Sequence, residues 1–471
     1  ALKFLYIYNN GITHLDVSKS PALEMLGASG NPLFHLCVSS SQLPKSATWS
    51  VPFQTKIEVC NPGIHIPDTQ FKAHLISKGI DTNNDGEIQE LEAKAVNKII
   101  LPSFAGVKDL TGIEYFTSLD TLAVAYNEIK WIHLFNLREL TYLDVSNNDL
   151  HTINVSLLDS LKYLNVADNH LANLDLYNNV LLEVLRSEIN QIEYLDLRRN
   201  TRLVELYTYF NPLRHLDIRN VTKLKYLITY NNELDSLATS HLSDLEVLYA
   251  DNNPISYVNL KNNSKLKLLY LANTAITNLD ISGKTSLTEA HVNANALVAL
   301  DASNNPNLTT LRIDDNQIST LNFLNTPQLQ TLVAWNNQLT SLDVSKNLQL
   351  SYVGVQGNFS LKTICIDAQQ VNDTLGWTKD VSAHWVVCNS GARFAVEEEV
   401  NFQVYPIPAK DVIQIQSRDA VLKVAVKNVN NEEVVSWQDS TQGDVSSLSA
   451  GLYLLEVTTD KGTKVSKLII E

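Results

Sequence analysis

Methionine occurs once and cysteine four times in 471 residues, and 36 lysines and arginines face 51 acidic residues, a formal charge of -15. That balance excludes nucleic acid as a partner, because phosphate binding needs a basic footprint. It also excludes attachment to an anionic membrane surface through basic residues. No apolar run is long enough for a bilayer-spanning helix, so no transmembrane segment is expected. A single methionine cannot furnish the Met-rich groove that calcium sensors open. H-E-x-x-H, G-x-S-x-G and phosphate-cradling loops are missing too, and the histidines are scattered, so no enzyme is expected. His291 beside Glu289 or Asp314 is at most an acid–base pair without a nucleophile.

What is present is a repeat. From Leu119 to Asn358 the template L-x-x-L-x-L-x-x-N-x-L-x-x-L returns every 21 residues, its first leucine running from Leu119 through Leu140 and Leu161 to Leu350 without insertion or deletion. No such turn can bury its apolar face alone, so neighbours must stack into one continuous core. The pattern resembles the leucine-rich repeat and predicts a solenoid with a curved parallel β-sheet. The asparagine column, Asn127 to Asn358 with Thr274 as its exception, is expected to bond backbone groups left unpaired where the chain leaves the strand. A 21-residue turn leaves little room for an outer helix, so extended or turn segments are expected there. The aspartates at 175, 196, 217, 280, 301 and 343 fit turn capping through side-chain to backbone bonds, a metal ladder being the rival reading.

The cysteines fall as two pairs, Cys37 with Cys60 and Cys365 with Cys388, each 23 positions apart, with Trp49 and Trp377 each 12 positions after the first cysteine. One module used twice, with an internal disulfide, is the expectation; two pairs of free buried thiols is the alternative. Neither pair has the short spacing of a zinc site. Such a disulfide contributes about 3 to 4 kcal/mol in the chain-entropy model and places the protein outside a reducing cytosol. Each module begins where a repeat should have continued, so both are predicted to cap the open end of an array.

Four segments follow. Residues 1–60 are the end of a first repeat array with its disulfide cap, 61–98 a helical cap, 99–388 the second array with its cap, and 389–471 a separate domain. Because residue 1 already lies inside a repeat, the expectation is that the array and any export signal begin upstream.

Within 61–98, helices are predicted over Asp68 to Lys78 and Gln89 to Asn97. The stretch between them matches the EF-hand calcium-loop template. Asp81, Asn83 and Asp85 would give side-chain oxygens, Glu87 its carbonyl, Gln89 a water-bridged contact and Glu92 a bidentate carboxylate, with Gly86 at the sharp turn. A structural Ca2+ stapling the helix pair is expected; a metal-free polar loop is the alternative.

Alternation along each strand puts template positions 4 and 6 inward and positions 3, 5 and 7 on the concave sheet. Those columns place Tyr207, Tyr209, Tyr226, Tyr230, Tyr249 and Tyr270 on consecutive middle turns, a patch of about 15 to 20 Å across. Arg186, Glu188, Glu205, Asp251, Arg312, Asp314 and Trp335 surround it, and Phe210 borders it at the strand exit. Tyrosine and arginine bounded by polar groups make up protein-recognition hot spots, although tyrosine also simply suits a sheet.

Residues 394–471 lose the repeat and alternate over Phe402 to Tyr405, Val412 to Gln416, Leu422 to Lys427, Glu433 to Trp437, Leu452 to Thr458 and Lys464 to Ile470, predicting a small β-sandwich. Its motifs are Val404-Tyr-Pro406-Ile407-Pro408-Ala409-Lys410-Asp411, Gly451-Leu-Tyr453 and Lys467-Leu-Ile-Ile470. They resemble the type A C-terminal sorting domain of the Bacteroidetes type IX secretion system, with Ile407 where asparagine is commoner. The array resembles internalin-like and BspA-like surface proteins, in which an acidic helix-loop-helix often precedes the repeats. The resemblance implies export through the secretion machinery, read from residues 394–471, to the outside or the outer-membrane surface. The functional expectation is a non-enzymatic, adhesin-like protein binding a host or bacterial surface protein or peptide on its concave face. Glycan binding and a passive spacer are the alternatives.

Overall fold

The computed structural model describes residues 2–60, 63–388, 402–406, 408–417, 420–428, 432–459 and 462–471. The chain divides into two compact units, Ala1–Val387 and Cys388–Glu471.

Each turn of the second array makes a three-residue strand around the template's second leucine. Leu122, Leu143, Leu164, Leu185 and Leu206 are fully buried, and neighbouring strands pair parallel in register, Leu143 opposite both Leu122 and Leu164. The result is a 13-stranded parallel sheet from Lys98–Ile100 to Tyr352–Gly354. Its first strand precedes the regular template, yet Ile99 already pairs with Leu122 of the array. Return segments are turns and short strands, such as Tyr194–Asp196 paired with His215–Asp217. The fold is the leucine-rich repeat solenoid.

The asparagine column bonds as its chemistry requires. Asn211 Nδ2 donates to Ser187 O of the preceding turn at 3.0 Å and to Thr208 O at 3.1 Å, while its Oδ1 accepts from Ile192 N at 3.0 Å. A second buried column, Asn179, Asn200, Asn263, Asn305 and Asn347, donates in the same way at the outer turn, as where Asn200 Nδ2 reaches Leu176 O at 3.1 Å and Asn179 O at 2.9 Å, although Oδ1 of Asn179, Asn200 and Asn263 accepts no bond. The aspartates cap as expected: Asp175, Asp196, Asp217, Asp280, Asp301 and Asp343 each accept from the backbone N–H two residues on.

Both cap modules use one set of contacts. Cys37 and Cys60 are bonded, with Cα atoms 5.1 Å apart, and Cys365 and Cys388 are disulfide-bonded as well. Trp49 Nε1 donates to Glu24 O at 3.2 Å and Trp377 Nε1 to Ser351 O at 3.1 Å. Buried Gln42 and Gln370, five residues after the first cysteine of each module, donate to carbonyls of the last turn, Val17 and Ser20 in one and Val344 and Asn347 in the other.

The helical segment holds Thr69–Ser77, N-capped by Asp68, and Glu90–Lys94. The second helix is shorter than expected because Val96 and Asn97 lead directly into the first strand of the array. Phe71, Leu75, Ile88 and Ala93 share one apolar core with Ile99, Leu119 and the leucines beyond, whereas Leu23, Leu26, Leu33 and Leu36 of the first array form a core of their own. The second unit has two antiparallel sheets. One joins Phe402–Tyr405, Val412–Ser417 and Gln442–Asp444; the other joins Glu433–Gln438, Val421–Lys427, Gly451–Thr459 and Gly462–Ile470. Gln442–Asp444 has no apolar alternation and was not foreseen. Ile407 of the sorting motif lies outside the described residues, as do 389–401.

Asn211→Ala should strand Ile192 N and two carbonyls away from water, lowering stability by about 2 to 3 kcal/mol. A melting temperature equal to wild type would show that the column is dispensable.

Candidate functional site

All six tyrosines lie on the concave face, half-buried, and each is next in sequence to a fully buried residue, such as Leu206 before Tyr207 and Thr208 before Tyr209. Tyr209 and Tyr230 stack with centroids 4.6 Å apart and planes 8° from parallel. Tyr249 meets Tyr270 at 4.3 Å, and Tyr270 meets His291 at 4.2 Å. Exposed Phe210 closes edge-on against Tyr230 at 5.5 Å. The rings therefore brace one another into fixed positions, which limits the entropy lost when a partner settles on them.

The turn just after each strand adds a cost that packing does not explain. Its residue is left-handed throughout, and Asn147, Asn231, Asn252 and Asn336 suit that conformation, but Ile189 has φ 56° and Phe210 φ 53°. A β-branched or bulky side chain is strained there. Both residues are exposed beside the aromatic patch.

Charge surrounds the rings. Arg186 lies over Tyr207, 4.4 Å from the ring centre, and donates to Glu188 Oε1 at 2.8 Å. Tyr207 donates to Glu205 at 3.1 Å, and Tyr270 to Glu289 at 2.7 Å. Burial pushes the Tyr207 phenol up to about 12, reinforced by Glu205. Burial also raises Glu188, against the pull of Arg186, and raises Asp251, whose carboxylate accepts from Ala272 N at 2.7 Å. Burial and Arg312 lower His291, favouring its neutral form. Half-buried Trp335 lies across the next turn, where a Cβ on Gly354 would meet its Nε1 at 2.1 Å. The first array repeats this device, Tyr8 lying over Gly27.

Two features escaped the sequence reading. Tyr142 and Tyr163 stack at 4.2 Å on the face's N-terminal side. A cavity of about 420 Å³ opens there between Asp144, Tyr163, Asp168, Arg186, Glu188 and Tyr209. Tyr142 and Tyr163 both fall in the position 3 column, which marks them, but nothing in the one-dimensional pattern marks the cavity.

In the EF-hand-like loop, Asn84 and Gly86 have positive φ, 59° and 83°, giving the sharp turn. Asp81 and Asp85 are buried, and the nearby Lys72 pairs with Glu87 instead, at 2.7 Å. Asp81 accepts from Asp85 N and Gly86 N. Asn83 and Gln89 turn their amide nitrogens toward Asp85, and a half-turn of either amide would bring an oxygen there. Glu92 accepts instead from Thr82 N and Gln89 N. Residue types and loop conformation fit a calcium ion, but Glu92 would have to leave Thr82 to hold one. Among the described residues, the trio of potential ligands within 4.8 Å of one another is His35, Cys37 and Cys60, and its sulfurs are already in a disulfide.

Residues 403–471 match the Secretion system C-terminal sorting domain. This marks the chain as secreted or attached at the outer-membrane surface, and no helix among the described residues is long and apolar enough to cross a membrane. A comparison with curated proteins finds no match. Among solved structures, the chain is similar to the functional domain of InlJ from Listeria monocytogenes, at 21% identity over 86% of this chain and 97% of that one, with a TM-score of 0.55. It is also similar to the internalin inlF of Listeria monocytogenes, at 21% identity over 68% and 96% with a TM-score of 0.54. A leucine-rich repeat protein of Leptospira interrogans aligns at 17% identity over 81% and 94%, TM-score 0.50.

The Tyr207 phenol titrates at 10.0 when unperturbed and about 12 in the fold, so above pH 10 the folded state holds the proton that the unfolded chain releases. Stability should therefore fall as pH rises from about 10 to about 12, with Tyr207→Phe flattening that fall. Phenolate absorbance followed alongside melting temperature checks it, and a curve unchanged by the substitution would contradict the assignment.

Proposed function

We propose that this chain is a non-enzymatic, adhesin-like recognition protein that binds a protein or peptide partner on the concave face of its second array. The observation that carries the reading is an aromatic patch, half-exposed, immobilised by ring stacking and bordered by charges of both signs. Apolar surface of that kind is uncommon without a partner, and tyrosine, tryptophan and arginine dominate binding energy where it has been measured. A passive spacer gains nothing from left-handed Ile189 and Phe210, which cost stability. A glycan would need free ring faces, whereas Tyr209, Tyr230, Tyr249 and Tyr270 give much of theirs to one another. The ring edges and hydroxyls that remain suit peptide groups.

The EF-hand-like loop is proposed to hold a structural Ca2+ through Asp81, Asn83, Asp85, Gln89, Glu92 and the Glu87 carbonyl. Two buried carboxylates without a cation favour one. Because Ile88 and Phe71 belong to the array's core, the ion would brace the N-terminal end of the solenoid.

Replacing Tyr207, Tyr230 and Tyr249 together by alanine should weaken partner binding by several kcal/mol while the circular dichroism spectrum stays native; unaltered affinity in a folded triple variant would dispose of the concave site. For the loop, melting temperature should drop when calcium is replaced by a chelator, with the ligand site unaffected. Identical melting curves would mean that no ion binds.

A further inference from the structure

The aromatic patch is bracketed by two copies of one charge pair. Arg186 and Glu188 occupy positions 5 and 7 of their turn; Arg312 and Asp314 occupy the same positions six turns later. In both pairs the acid is almost wholly buried, Glu188 exposed by 3% and Asp314 by 4%. In both, one carboxylate oxygen has no hydrogen-bond partner: Glu188 Oε2 and Asp314 Oδ1. Both also have a ring beside them, Tyr207 under Arg186 and Trp335 on the turn after Asp314.

A buried acceptor left unpaired costs about 1 to 3 kcal/mol. The neutral amides of Asn179, Asn200 and Asn263 also leave Oδ1 unpaired at equivalent places of the outer turn, but Glu188 and Asp314 are carboxylates at concave-face positions, where a partner's donor can meet them. The arginines do not fill the need. Arg186 spends its contacts on Glu188 Oε1 and the Tyr207 ring, and Arg312 Nε forms an ion pair with Asp314 Oδ1 at 3.5 Å without hydrogen-bonding to it. Nearby charge is also negative. Asp144 and Asp168 line the first cavity with Glu188, Glu289 lies beside His291 at 3.9 Å, and Asp251 lies between the two pairs. A group that donates several hydrogen bonds and carries positive charge complements both ends.

We propose that the concave face binds an extended polypeptide segment with two lysine side chains, one seated at Glu188 and one at Asp314, its intervening residues lying across the tyrosines. The proposal rests on the concave-face reading above and names the partner's chemistry. Six strand spacings of about 4.8 Å separate the pairs by about 29 Å, which an extended chain rising about 3.3 Å per residue covers in about nine residues.

The test uses the full chain and fluorescein-labelled, end-capped glycine–serine peptides. The panel carries two lysines nine residues apart, two lysines three residues apart, a single lysine, or two norleucines at the long spacing. The long-spaced dilysine peptide should bind at least about tenfold more tightly than any other. Glu188→Gln and Asp314→Asn should each erase that advantage, with the melting temperature recorded for each. Equal affinity across the panel, preference for norleucine, or no binding by the long-spaced peptide overturns the proposal. Because the comparison of spacings is made on the unaltered protein, it decides even if a variant fails to fold. Norleucine peptides that bind and are released by the Tyr207, Tyr230, Tyr249 triple substitution would sink the lysine sites and leave the concave-face reading standing. So would a natural partner lost in that triple variant but indifferent to Glu188→Gln and Asp314→Asn.

Discussion

Everything in this molecule depends on backbone groups that have no partner within their own turn. A three-residue strand followed by a left-handed corner buries carbonyls and amides that only the next turn can satisfy, and the asparagine amides complete that exchange. One turn is therefore unstable and a stack of them is stable, and the period cannot drift, since a single insertion would pull a column of amides away from its carbonyls. The changes of length come at the two ends: 23 residues separate Ile99 from its strand partner Leu122, and the last turn gains a residue before Leu361, where the disulfide module begins. The cap then supplies what a missing turn would have supplied. Gln42 and Gln370 take the carbonyls, and Trp49 and Trp377 cover the leucines.

Strict register also shapes the surface. Because the sheet is held from inside by leucine and asparagine, positions 3, 5 and 7 are free of structural duty and can carry any side chain the strand tolerates. The array is in this sense a rigid board with columns of independent places. What occupies them is uneven: aromatic in the middle turns, charged on either side, and a glycine at Gly354 where Trp335 needs room. The left-handed corners vary too: asparagine or aspartate fills most of them, Ala294 one, and bulky Tyr126, Ile189 and Phe210 three, the last two beside the patch.

Much of this was legible from residue types because the solenoid is nearly one-dimensional. Periodicity alone predicts which leucines are buried, which way each tyrosine points and which aspartates cap a turn, since each depends only on position within 21 residues. What stayed hidden depends on neighbours across turns or on less regular chain. The second asparagine column is offset from the template that defines the repeat. Gln42 and Gln370 become visible only when the two cap modules are laid over each other. Gln442–Asp444 pairs with Val412–Ser417 through its backbone without apolar alternation. The cavity between Asp144 and Glu188 is lined from five successive turns together, and no single turn encodes it.

The two charge pairs show how far such a board can separate stability from recognition. An acid at position 7 next to an arginine at position 5 is not needed by the repeat; most turns do without it. Burying a carboxylate to within a few per cent while leaving one oxygen without a hydrogen bond costs more than the unpaired amide oxygens of Asn179, Asn200 and Asn263, which carry no charge. In a globular core that imbalance could be absorbed by movement of neighbouring elements. Here the strands are locked by their register on both sides, so the unmet acceptors stay where they are, and the half-exposed Arg186 and Arg312 side chains are the groups that must move aside to admit a donor.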